Sequence, residues 1–424
     1  MLEAVRVEGG SLRVFGEQFN LRGRHAKIYS VALGKAAAAM ASALEERLGD
    51  ALAGGVLSAP PSDLKLSKRW RVYAGGHPLP NAASLESARA AFELLDEADA
   101  SSALVVFLVS GGGSAMLELP RDARVTLEEL REANRVLVSC GAAIDEVNAV
   151  RRVLSSVKGG GLSLRAPRAT KLTLIISDVP RGRERDVASG PTLAPDTDSA
   201  DALEVVARYD LDSKLPRSIR RALEESAATR THVDEGEPSS SQYVLLDNDS
   251  ACEAAGVSAR ARGFAVEMAR EVSEQPVDEG AVLLVSRLFE AYAREESKSR
   301  GVCVISGGEF ACPVRGVGTG GRNSETALRC AFEIEKALRE SNGRATPRGV
   351  VALCAGTDGV DGNSPAAGAI AFDTTLRRAR ERGLDAAKSL EESDAYTLFD
   401  ALGDAIRTGT TGTNVRDLRI LLAE

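Results

Sequence analysis

The sequence predicts an α/β protein of two domains: a larger N-terminal doubly wound, Rossmann-like sheet and a smaller C-terminal α/β domain, with a cleft between them. Three observations carry this. Apolar runs of strand length alternate with helical patterns along nearly the whole chain, the signature of parallel strands joined through helices. The composition, 44% hydrophobic but only 4% aromatic and with 40 glycines, describes a core of Ala, Leu and Val linked by many tight turns. The length of 424 residues exceeds one ordinary core, and the polar stretch DEGEPSSSQ, Asp234 to Gln242, divides it into 1–233 and 243–424.

The elements follow in order. KIYSVALG, from Lys27, is a strand running directly into the alanine-rich helix KAAAAMASALEERL. ALAGGVLSA and WRVYAGG are further strands, and NAASLESARAAFELLDEA, from Asn81, is a helix. VVFLVSGGGSAM, Val105 to Met116, is a buried strand ending in three glycines between two serines, and Pro120 stops any helix there after about one turn. Thr126, with Glu129 three residues on, forms a capping box that opens the next helix, and AAIDEVNAVRRVLSSV forms another. KLTLIIS is a strand delivering Asp178 and a long charged loop, VPRGRERDVASGPT; two more helical patterns lead to the linker. Beyond it, YVLLDNDSACEAAGVSARARG restarts the alternation, GAVLLVSRLFEAYAREE is an amphipathic helix, and GVCVISGGEF and VVALCAG are strands. The tail TGTTGTNVRDLRILLAE is a polar loop followed by a closing strand.

A net charge of −8 and a pI near 5.3 leave no clustered cationic footprint for nucleic acid or an acidic membrane, so small soluble partners are expected. The opening MLEAVRVEGG carries Glu3 and Glu8 without an apolar core of signal length, and no run of 18 uncharged apolar residues occurs, so a cytoplasmic location is expected. Six cysteines without a C-x-x-C spacing read as free thiols, and three histidines, His25, His77 and His232, are too few for a multi-histidine metal site.

The candidate chemistry lies at strand-to-helix turns. Lys35 stands where the first strand enters its helix, and Arg322 stands between the glycines of RGVGTGG and a long helix. A cation at the positive end of a helix dipole is disfavoured unless an anion joins it, so the two suggest halves of an anion site. Ser110, Gly111, Gly112, Gly113 and Ser114 offer backbone N–H groups and hydroxyls to phosphate or carboxylate oxygens. Lys158, before three more glycines, and Asn323, after Arg322, are further candidates for binding phosphate or substrate, and His77 in GGHPLPN can orient a substrate. Asp178, Glu309 and Asp358, with Asp361 nearby, are acids at strand ends of the kind that hold Mg²⁺ or accept a proton. The G-x-G-x-x-G match at Gly316, Gly318 and Gly321 lacks the acid about 20 residues on that a dinucleotide fold requires.

Nine pieces in order, VALGKAA, GGHPLPN, VSGGGSA, DEVNAVRRVLSSVKGG, SDVPRGRERDVASGPT, SGGE, GTGGRNSE, TDGVDGNSPAAGA and TGTTGTNVRDL, resemble the glycerate 2-kinases of the MOFRL family, sometimes labelled hydroxypyruvate reductases. The resemblance implies two α/β domains and phosphorylation of the 2-hydroxyl of D-glycerate from ATP with Mg²⁺. It places the catalytic cations on Lys35 and Arg322. The loop after Asp178, RGRER where the family is more acidic, and Thr410, where proline is usual, depart from the pattern. A homodimer is compatible with the sequence. A hydroxypyruvate-type oxidoreductase and a non-catalytic binder of phosphorylated acids stand as alternatives.

Overall fold

A computed structural model describes residues 5–8, 10–21, 27–192, 202–228, 240–295, 300–340 and 346–424. His25, His232 and most of the linker, 234–239, lie outside the described residues. The chain divides into two compact units, Met1–Leu245 and Leu246–Glu424.

The first unit begins with β1 (Val5–Glu8), β2 (Ser11–Val14) and β3 (Glu17–Asn20), an antiparallel three-stranded sheet whose four-residue strands are too short to show a period in the sequence. Its main sheet is built from β4 (Ile28–Leu33), α1 (Ala37–Leu48), β5 (Leu52–Ala59), β6 (Trp70–Ala74), α2 (Ala82–Ala100) and β7 (Leu104–Ser110). There follow a single turn, α3 (Gly113–Met116), the helices α4 (Leu127–Ser139), α5 (Ile144–Leu154) and α6 (Gly161–Arg165), and β8 (Thr170–Ile176). Two helices, α7 (Ala202–Arg208) and α8 (Arg217–Ala228), and a last strand, β9 (Ser240–Leu246), complete the unit.

The strand order is β6-β5-β4-β7-β8-β9, and the pairings from β6 to β8 are all parallel. All seven residues of β7 are buried, which is why the sequence shows an unbroken apolar run rather than alternation. From β4 the chain winds outward through β5 and β6, then crosses to β7 on the other side. The β4/β7 boundary is therefore the topological switch point, where ligands bind outside the carboxyl ends of open α/β sheets. The sequence assigned the YVLL strand to the second domain; in the structure β9 is hydrogen-bonded beside β8 at the edge of the first sheet. Edge pairing supplies the acceptor, and no feature of the strand itself announces which sheet it joins.

The Thr126 capping box forms as expected, the Thr126 hydroxyl accepting from Glu129 N–H at 3.2 Å and the Glu129 carboxylate accepting from Thr126 N–H at 2.9 Å. It opens α4, which packs with α5, α7 and α8 in an apolar cluster separate from the main sheet's core.

The second unit contains α9 (Asn248–Ala261), β10 (Phe264–Met268), α10 (Val277–Arg294), β11 (Gly301–Gly308), α11 (Arg322–Glu340), β12 (Val350–Gly356) and β13 (Gly368–Phe372). It ends with α12 (Thr375–Glu381), α13 (Ala386–Glu391), α14 (Ala395–Leu402), β14 (Ala405–Ile406) and β15 (Asp417–Ala423). Its sheet, ordered β10-β11-β15-β12-β13-β14, is mixed: β10 and β11 are parallel, whereas β15 lies antiparallel between β11 and β12. The closing strand thus enters the centre of the sheet, carrying Asp417 to the carboxyl ends of β11 and β12, opposite Gly308 and Gly356. Among the described residues no helix is long and apolar enough to cross a membrane.

Candidate active site

In the first unit the β4-to-α1 turn and the glycine loop after β7 are locked together at the switch point. Ser110 is buried, and its Oγ accepts the Ala36 N–H at 3.0 Å, while the Gly111 carbonyl accepts the Lys35 N–H at 2.8 Å. Gly34 makes this approach possible: its φ is +112°, and a Cβ there would lie 2.3 Å from the Ser110 carbonyl oxygen. Ser110 is therefore committed to joining two loops rather than presented to a ligand.

Around the next glycines the predicted residues come together. A Cβ on Gly111 would lie 1.9 Å from Asp178 Oδ2, so the carboxylate occupies the space that glycine leaves open. A Cβ on Gly112 would lie 2.9 Å from His77 Cδ2 and 3.4 Å from Lys35 Cγ. Lys35, His77 and Asp178 thus converge on Gly111 and Gly112 from the loops after three different strands. Gly113 opens the short α3, packed against Leu33 and Ala188. Among the described residues the N–H groups of Gly112, Gly113 and Ser114 meet no protein acceptor. The Ser114 hydroxyl shares a hydrogen bond of 3.0 Å with Ser189, which in turn donates to Asn148 Oδ1 at 3.1 Å. Ala188 and Ser189 both hold positive φ, +52° and +62°, a strained pair beside the glycine loop.

Lys158 is placed elsewhere than expected. Its amine is buried in an ion pair with Glu118, and the N–H groups of Gly159 and Gly160 go to the carbonyls of Ser189 and Gly190. Burial pushes the Lys158 amine down to about 7, even with Glu118 against it. The KGGG turn therefore serves to anchor the Ser189 loop, because a carboxylate 40 residues away in sequence claims its cation. The arginines of the RGRER loop are likewise engaged, Arg183 with Asp186 and Asp145.

In the second unit Arg322 is the first residue of α11. Its Nε donates to Asp417 Oδ2 at 2.5 Å, and its Nη2 pairs with Glu309 Oε1 at 2.8 Å. Burial works against the charge, but Asp417 and Glu309 outweigh it and raise the guanidinium above its ordinary value. The helix start is capped by Asp361, whose carboxylate accepts from Asn323 N–H at 2.8 Å and from Ser324 N–H at 2.9 Å. Burial pushes the Asp361 carboxyl above its usual range, against the pull of these hydrogen bonds. The helix dipole is thus already answered by a carboxylate of the chain.

Asn323, expected to meet phosphate, donates its side-chain amide to Asp417 Oδ1 at 2.9 Å and is buried. Glu309 is a partner of Arg322. The Asp358 carboxylate accepts the Val360 N–H at 3.0 Å, closing its own turn. No group of three His, Cys, Asp or Glu able to hold a metal is found among the described residues. Asp417 and Glu118 were missed: Asp417 stands in the TGTTGTNVRDL stretch but its partner Arg322 lies 95 residues away, and Glu118 belongs to no motif and meets Lys158 40 residues on.

Arg322 and Asn323 line a cleft of about 380 Å³ within the second unit, with Phe310, Val360, Asp361 and the glycine loop on its other walls. The loop is stitched to the protein: the N–H groups of Gly318, Thr319, Gly320 and Gly321 go to Glu392, Asp394, Asn363 and Ser324. With these donors engaged, the G-x-G-x-x-G match is not a pyrophosphate cradle.

Residues 3–224 match the family described as "Domain of unknown function (DUF4147)", and residues 302–417 match the MOFRL family. A glycerate 2-kinase of Pyrococcus horikoshii is 34% identical over 427 aligned residues, covering 100% of this chain and 92% of the relative. The chain belongs to the glycerate 2-kinase family. A D-glycerate 2-kinase of Thermotoga maritima is also 34% identical, with 93% of this chain and 90% of the relative covered. The crystal structure of glycerate kinase from Thermotoga maritima superposes with a TM-score of 0.79 at 32% identity, covering 94% of this chain and 92% of that one. The family's two-domain α/β architecture is the one seen here.

Proposed function

We propose that this protein is a cytoplasmic, ATP-dependent glycerate 2-kinase that transfers the γ-phosphoryl group to the 2-hydroxyl of D-glycerate. The observation that carries the reading is the convergence of Lys35, His77 and Asp178 on the glycine loop at the switch point. It occurs in a chain similar over its full length to glycerate kinases.

In such a transfer the 2-hydroxyl oxygen bonds to the γ-phosphorus and gives up its proton, which ends in solvent, while the bond to the β–γ bridging oxygen breaks and ADP leaves. Catalysis is then mostly positioning and charge neutralisation. Lys35 and Arg322 are the cations proposed for the transferring phosphoryl group. The N–H groups of Gly112, Gly113 and Ser114 offer donors to the carboxylate of the acceptor or to phosphate oxygens. Asp178, cradled against Gly111 where a side chain would collide, suits a single oxygen ligand to Mg²⁺. Mg²⁺ bound with the nucleotide supplies charge neutralisation at the phosphates, and it commonly takes only one or two carboxylates from the protein.

The test is a coupled assay with D-glycerate, ATP and Mg²⁺ on the wild type and on Lys35→Ala and Arg322→Ala. Each variant is expected to lose roughly two to three orders of magnitude in kcat. Lys35→Ala should keep its thermal stability within about 1 kcal/mol, whereas Arg322→Ala, which takes the cation from the buried Asp417 carboxylate, should be less stable than that and is compared at a temperature where it is folded. Wild-type rates in both would reject the assignment of the cations.

A further inference from the structure

Arg322 has two carboxylate partners, and they differ in kind. Glu309 meets Nη2, and its side chain is 33% exposed; Asp417 accepts from Nε at 2.5 Å and, at 3.4 Å, also from Nη2, and its side chain is 3% exposed. A phosphoryl oxygen can take the place of Glu309 on the outward arm of the guanidinium, whereas Asp417 holds the inward arm and is shared with Asn323.

The backbone and the core around Asp417 are arranged at a cost. Arg416, just before it, has φ of +71°, a conformation a non-glycine residue keeps only where its surroundings over-determine it. Two residues further on the same face of β15 lies Arg419, 1% exposed. Its guanidinium sits 3.6 Å over the Phe310 ring, its Nε donates to Ser306 Oγ at 3.2 Å, and its Nη2 is buried without a hydrogen-bond partner. Among the described residues no carboxylate lies within ion-pair distance of it. A fully buried cation without a paired anion is expensive, and an apolar side chain would fill this sheet position more cheaply. Burial lowers the Arg419 pKa, and the charge of Asp417 is foremost among those opposing the shift.

We propose that Asp417 is a positioning residue that fixes Arg322 for phosphoryl transfer, and that Arg419 is the counter-charge behind it. The inference rests on the reading that Arg322 acts on the transferring group. It goes beyond that reading in saying that the strained start of β15 and the unpaired arginine in the sheet exist to set the direction of one guanidinium.

The experiment is steady-state kinetics with D-glycerate varied at saturating ATP and Mg²⁺. The proteins are the wild type, Arg322→Ala, Asp417→Asn, Asp417→Glu, Arg419→Met and the double variant Arg322→Ala/Asp417→Asn. Asp417→Asn is expected to lower kcat by roughly 10-fold or more while the KM for D-glycerate stays within about 3-fold, the mark of an interaction used in the transition state. Asp417→Glu, which keeps the charge but displaces Arg322, should fall between wild type and Asp417→Asn. Arg419→Met should lower kcat in the same sense, and it tests the inference by itself should Asp417→Asn fail to fold. The decisive comparison is the double variant, expected within about 3-fold of Arg322→Ala alone, because residues acting as a unit are not additive. If Asp417→Asn costs the same factor with and without Arg322, its role is structural and the inference is overturned. A wild-type kcat in Asp417→Asn or in Arg419→Met also overturns it. Full activity in Arg322→Ala would instead reject the assignment of Arg322 itself.

Discussion

A methyl group at residue 111 separates the chemistry of the glycine loop from its fold. The Cβ of Gly111→Ala would lie 1.9 Å from Asp178 Oδ2 and 2.4 Å from its Cγ. The obstacle is the end of a side chain, so the carboxylate swings aside by about 1 Å or more while the backbone stays. Holding Asp178 off its preferred rotamer costs about 0.5–1.5 kcal/mol. The φ of Gly111 is not positive, so the alanine is itself tolerated and returns about 0.4–1 kcal/mol through the unfolded chain. The net change in stability should stay below about 1 kcal/mol. Activity should respond more strongly, since a displacement of 1 Å in a positioned group costs roughly 100-fold, or about 2.7 kcal/mol of barrier. Thermal unfolding and the coupled kinase assay on the same preparation measure both quantities. A kcat/KM within threefold of wild type, at unchanged stability, would refute the placement of Asp178 in the working site.

Gly34→Ala should behave in the opposite way: with φ of +112° and the Ser110 carbonyl oxygen 2.3 Å from the new Cβ, the backbone itself must move. We expect little folded protein, and a well-folded, active Gly34→Ala would contradict the interlock of the two loops. The buried Lys158 amine, pushed down to about 7, predicts a pH dependence of stability. Between that value and the ordinary lysine value of about 10.4, the unfolded chain holds a proton the folded protein has released. Stability from this group therefore rises with pH across the window, by up to about 1.4 kcal/mol per unit. Chemical denaturation at several pH values from 7 to 9 should show the wild type gaining on Lys158→Met/Glu118→Gln. A constant gap between the two proteins would contradict it.

Much of the architecture was legible because local signals and tertiary demands agree. β7 is hydrogen-bonded on both sides and covered on both faces, so its apolar run is unbroken, and the Thr126 capping box is complete within four residues. Helix polarity singles out Lys35 and Arg322, and the structure places Lys35 in the turn just before α1 and Arg322 at the first residue of α11. What escaped were partnerships across distance. Asp417 lies 95 residues from Arg322, and Glu118 lies 40 from Lys158, so neither pairing has a spacing to read. Lys158 beside three glycines looked like an anion site for want of the carboxylate that claims it. Of the acids at strand ends expected to hold a metal, Glu309 pairs with an arginine and Asp358 closes a turn, partnerships that no local pattern announces. The insertion of β15 between β11 and β12 depends on which edge is free once the rest has folded, and a strand pattern carries no record of that.

The position phosphorylated tests the kinase reading most directly. The protein incubated with D-glycerate, ATP and Mg²⁺, and followed by phosphorus NMR, should give ADP and 2-phosphoglycerate in equal amounts. Formation of 3-phosphoglycerate, or no phosphorylated acid at millimolar substrate, would contradict it.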